Sequence, residues 1–131
     1  MKLTMSALLS LVICLLVITT ALARKPAQAT ATVAGVYENF TVGKGSGDLE
    51  GMRVVIVPAG GGYYAIVQIA QGGAEDPKPE FVAAKVKGLT VAFSVGDEKF
   101  TGMATATGLR LKNSAGESRV LKRKSCSSYF R

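Results

Sequence analysis

The sequence predicts an all-β protein: an eight-stranded antiparallel up-and-down barrel behind a signal-peptide helix. Two observations carry this. From Leu89 to Val95 the residues Leu89, Val91, Phe93 and Val95 alternate with Thr90, Ala92 and Ser94, which is the period of a half-buried strand and not of a helix. Short runs of the same kind recur along the chain, each cut from the next by turn-forming residues, with no helical periodicity between them. Hairpin-length connections favour a meander over a Greek key, and eight strands suffice to close a barrel and remove its exposed edges.

The elements follow in order. Lys2, the apolar run Ala7–Ile18 and the small residues Ala21 and Ala23 form a secretory signal over residues 1–23, cleaved between Ala23 and Ala29. An uncleaved N-terminal anchor is the alternative, since Met5–Ala23 is long enough to span hydrocarbon. The expected location is therefore secreted or periplasmic. Residues 24–32 are a disordered lead-in, and residues 33–124 are the barrel. Val33–Val42 reads as a strand with a central irregularity, and Gly43–Asp48 as a loop. Gly51–Ala59 and Tyr63–Gln71 flank the hairpin signal Gly60-Gly61-Gly62. Tyr63, Ala65, Val67 and Ile69 form the better core face. After the loop Gly72–Pro79, Glu80–Lys87 places Val82, Ala84 and Val86 inward. Leu89–Val95 follows. The next strand carries the small-residue face Phe100, Gly102, Ala104 and Ala106, and Gly108 breaks it before Leu109–Lys112. Ser118–Lys124 is the last strand, but Lys122-Arg123-Lys124 interrupts its alternation, so closure is expected at about Leu121. Residues 125–131 form a basic, aromatic tail.

Composition narrows the function. The chain has no histidine, which excludes histidine-dependent triads and histidine metal sites. Neither a cofactor nor a metal is expected. The carboxylates Glu75-Asp76 and Asp97-Glu98 sit in turn sequence, where they solvate turns instead of forming an acid–base pair. Gly43-Lys44-Gly45-Ser46-Gly47 has the look of a phosphate cradle but lacks the helix that such a cradle needs behind it. No catalytic residue is assigned, and a non-enzymatic protein is expected. Only Cys126 remains after the leader, so no internal disulfide forms, and an exposed odd thiol invites intermolecular pairing. From Arg24 to Ser118 there are ten Lys/Arg against nine Asp/Glu, which leaves Arg119, Lys122, Arg123, Lys124 and Arg131 at the C-terminal end to supply almost all of the basic excess.

Gly35-Val36-Tyr37 entering the first strand, an eight-strand meander, and a basic residue near the closing strand together resemble a minimal lipocalin-like (calycin-type) barrel. Lipocalins usually have tryptophan where Tyr37 stands. The segments GDLEGM, GGYYAIVQIA and FTGMATATGL also resemble small exported bacterial proteins. The resemblance implies a binding module for a small apolar or amphipathic ligand, with Tyr37, Tyr64 and Phe93 as its contacts. The alternative is an inhibitor-type envelope protein that engages a protein partner through loops Gly43–Glu50 and Gly72–Pro79. If Tyr63, Val67, Leu89, Val91 and Phe93 fill the interior, no cavity remains; the small residues would instead leave room for a slim ligand. The filled interior is preferred. Lys122, Arg123 and Lys124 are the expected contacts to an anionic membrane surface, and no nucleic-acid partner is expected.

Overall fold

The structure, a computed structural model, describes residues 31–73 and 77–125. The leader, the Glu75-Asp76 pair, Cys126 and the aromatic end of the tail lie outside the described residues. Nine strand segments are present: β1 Gly35–Glu38, β2 Thr41–Val42, β3 Leu49–Ala59, β4 Gly62–Gln71, β5 Glu80–Lys87, β6 Thr90–Val95, β7 Glu98–Ala104, β8 Gly108–Asn113 and β9 Ser118–Lys124. Each pairs antiparallel with the next in sequence from β3 to β9, and β1 pairs with both β9 and β3. The sheet therefore closes. Because β2 continues β1 along the same partner, the result is a closed eight-stranded antiparallel barrel.

The break between β1 and β2 is the expected irregularity of the first strand. Asn39 both donates its amide N–H to the Met52 carbonyl and accepts the Met52 amide on its side-chain oxygen, at 3.0 and 2.8 Å. Opposite it, Gly51 has φ +117°, and a Cβ there would stand 2.7 Å from the Asn39 carbonyl oxygen. Only glycine lets the two backbones come this close. At the far end of β3, Gly60 and Gly61 both have positive φ and make the two-residue turn into β4.

Several boundaries differ from expectation: β3 already begins at Leu49, and Leu89, expected on the inner face, is exposed in the turn before β6. β7 ends at Ala104, and Thr105 holds the following turn by accepting the Gly108 amide at 3.0 Å, so Ala106 is exposed turn and not inner face. Gly108 opens β8 instead of breaking a strand; it is buried, and a Cβ would run into the Leu121 carbonyl. The basic triplet likewise does not end the barrel. Lys122, Arg123 and Lys124 pair with Glu38, Tyr37 and Val36, and they are the seam that closes the sheet. Alternation persists because Arg123 takes the inward position after Leu121, with its Nη1 and Nη2 hydrogen-bonded at the barrel end while its buried Nε has no partner among the described residues.

The interior is filled by alternate residues of every long strand. Tyr37, Met52, Val54, Ala65, Val91, Leu109 and Leu121 are 0% exposed, so no water-sized space adjoins them. Phe93 stacks on Phe100 at 5.4 Å between ring centres, in a directly opposed pair of β6 and β7. The glycine at 102, opposite Val91 and Leu111, has no room for a Cβ against the Arg110 backbone, which keeps β7 and β8 close.

Candidate functional site on the outer wall

The three residues expected to hold a ligand are not brought together. Tyr37 and Phe93 point inward and are buried, whereas Tyr64 faces out from β4. Tyr37 serves one end of the barrel. Its hydroxyl donates to the Val33 carbonyl at 2.8 Å, and the Arg123 guanidinium lies 4.9 Å above its ring. Arg123 also donates to the Tyr37 hydroxyl at 2.6 Å, to the Ala34 carbonyl at 3.1 Å and to the Thr32 carbonyl. One side chain thus binds the last strand to the segment that leads into the first. Burial pushes the Tyr37 phenol above its ordinary value, and the adjacent Arg123 charge and hydrogen bond oppose that rise.

The basic triplet is split by strand geometry. Arg123 points into this end of the barrel. Lys124 points out and lies 3.6 Å from Glu38, which also takes a 2.7 Å ion pair from Arg53. Lys122 points out opposite Glu38. The triplet is therefore not a free cluster on a tail.

At the other end, the two loops expected to act together do meet. Leu49 donates to the Gly73 carbonyl at 2.7 Å, and Gly72 donates to the Leu49 carbonyl at 3.1 Å. Nearby, Asn113 is 9% exposed and donates to Glu98 at 2.6 Å and Glu117 at 3.0 Å, while its side-chain oxygen accepts the Glu117 amide at 2.7 Å. Sequence reading missed Asn113. It ties the β8–β9 turn to the start of β7, and it removes Glu98 and Glu117 from the outward strand positions, although Glu117 stays exposed at this end and also pairs with Arg119 at 3.8 Å.

That removal shapes the wall. Residues directly opposite on paired strands face the same side, so the register maps the outer surface row by row. One row runs Lys87, Thr90, Met103, Arg110 and Val120 across β5 to β9. The next runs Lys85, Ala92, Thr101, Lys112 and Ser118, and a third pairs Ser94 with Lys99. Five cations (Lys85, Lys87, Lys99, Arg110 and Lys112) stand on this surface, with Lys122 at its margin. No acidic residue occupies an outward position of β6 to β9. None of the five has an ion pair among the described residues. The intervening side chains are mostly small or hydroxylic, so the long cations are not screened by bulk around them.

The opposite wall carries an apolar row beside the polar row Glu38, Arg53 and Gln68. Val36, Val55, Ile66 and Phe81 form one outward row across β1, β3, β4 and β5. Tyr64 stacks on Phe81 with ring centres 5.0 Å apart and planes 13° from parallel. The chain thus presents two unlike outer faces around one filled core. No protein-family model matches the chain, and no curated protein or solved structure is significantly similar to it.

Proposed function

We propose that the protein is an exported, non-enzymatic, lipocalin-like binding protein that works from its outer wall, by presenting the β5–β9 surface to an anionic macromolecule or surface. The observation that carries this reading is the sorting of charge. Five outward cations share three adjacent rows with no outward acid between β6 and β9, although the chain from Arg24 to Ser118 is almost neutral. Such a field attracts an anionic partner and falls with ionic strength. The lipocalin-like part rests on the Tyr37–Arg123 contact at the barrel end and on the meander. The non-catalytic part rests on the lack of histidine, and export rests on the leader.

A column bearing a sulfated polysaccharide tests the reading. The wild-type protein should be retained at low salt and released as salt is raised. Passage through the column at low salt would remove the proposal.

A second reading has its own observation. The stacked Tyr64–Phe81 pair and the half-buried Val55 and Ile66 beside it offer a small apolar or amphipathic ligand an outer seat instead of an inner one. Quenching of tyrosine fluorescence by such a ligand, lost in Phe81→Ala, is the result expected of it.

A further inference from the structure

The partner of the cationic wall has a second chemical requirement. In the row Lys87, Thr90, Met103, Arg110, Val120, two large apolar side chains flank the arginine. Met103 is 57% exposed and Val120 62% exposed. Leu89 is exposed in the turn that opens β6, and its carbonyl accepts the Ala104 amide at 2.8 Å, which places it beside the end of β7 next to Met103. The apolar side chains are therefore interspersed with Lys87, Arg110 and Lys122 instead of lying on a separate face.

A soluble linear polyanion matches the cations but gives Met103 and Val120 nothing apolar to enter. An anionic bilayer matches both. Its phosphates lie at the level of the cations, and its acyl boundary lies just below them, within reach of side chains that project from the wall. The exposed apolar side chains are few and project from a rigid wall, which suits shallow insertion and not a spanning element.

We infer that the β5–β9 wall seats on an anionic lipid bilayer, with Met103 and Val120 entering the headgroup–acyl boundary around Arg110. This inference rests on the cationic-wall reading and names its partner. Lysines set the attraction and its salt dependence, while the two apolar side chains convert a diffuse attraction into a seated one.

The test uses protein purified in the form its cells produce, and it measures sedimentation with vesicles of phosphatidylcholine alone or mixed with phosphatidylglycerol. Wild type should sediment with the mixed vesicles and not with the neutral ones. Met103→Ser/Val120→Ser should lose about tenfold in vesicle affinity, consistent with the withdrawal of two apolar side chains. The same variant should elute from the sulfated-polysaccharide column at the wild-type salt concentration, which shows that it is folded with its cations in place. If wild type binds the column but not the mixed vesicles, or if the double variant binds vesicles as wild type does, the lipid inference is overturned and the cationic-wall reading stands. If wild type binds neither, both fall.

Discussion

Arg123 shows how one residue can close a sheet. Its backbone pairs with Tyr37 while its guanidinium covers the Tyr37 ring and takes up carbonyls of the segment before β1. Arg123→Ala should destabilise the barrel by about 2–3 kcal/mol, since it removes a partly desolvated cation–π contact and several charge-assisted hydrogen bonds. Arg123→Lys should recover only part of that, because an ammonium does not reproduce the planar fork. Equal urea midpoints for wild type and Arg123→Ala would refute this. Tyr37 adds a dependence on pH. Its phenol is raised in the folded state by burial, so the folded chain holds that proton at pH values where the unfolded chain has lost it. The associated stability is fully present below about pH 10 and is lost as pH rises through the raised folded value. Unfolding midpoints between mildly and strongly alkaline pH should fall more steeply for wild type than for Tyr37→Phe. Parallel slopes would contradict the assignment.

Among the strands, β9 is where sequence and structure part most instructively. The alternation in Thr90–Val95 was legible because its inward residues Val91, Phe93 and Val95 are large and apolar while its outward ones, Thr90, Ala92 and Ser94, are small or hydroxylic. In Ser118–Lys124 the inward position after Leu121 is an arginine, and an apolarity pattern reads that as the end of a strand. The charge is tolerated inside because the barrel end supplies carbonyls and an aromatic face. The structure reverses the expectation that the barrel closes at about Leu121. Truncation after Leu121 should remove every β1–β9 pair, leave β1 held by β3 alone and lower the melting temperature sharply, whereas truncation after Ser125 should change it little. Calorimetry on the two truncations decides this, and similar melting temperatures would show that the seam is dispensable. The break in the first strand was legible from its mixed chemistry, but its cause was not. It depends on Asn39 meeting Gly51, twelve residues along and on another strand. Asn113 was invisible for the same reason, since its partners Glu98 and Glu117 come together only once the turns are stacked.

At the scale of the molecule, the number and order of the strands were readable from period and punctuation, while the candidate site was not. Counted from Arg24 to Ser118, acids and bases nearly balance. Wrapped onto the barrel, Glu38 goes to the seam, Glu98 and Glu117 go to the Asn113 cluster, and the lysines of β5, β7 and β8 keep an outer wall to themselves. The signal was present in the charges at outward positions, which needed the inward–outward assignment of the apolar residues to become visible. The leader belongs to the same scale. If residues 1–23 act as the proposed export signal, mass measurement of the mature protein should find a new N-terminus between Arg24 and Ala31, and an intact Met1 in the membrane fraction would mean that this segment is an anchor. The central claim is that the location of charge, and not its total, governs binding. Lys85→Glu/Lys112→Glu reverses two wall cations, and Lys44→Glu/Lys78→Glu makes the same change of net charge in the loops at the barrel's end. Titration of both variants with a soluble sulfated polysaccharide at low salt compares them directly. The wall variant should lose at least about tenfold in affinity, roughly 1.4 kcal/mol, while the loop variant stays within about twofold of wild type. Equal losses in the two variants would contradict the claim.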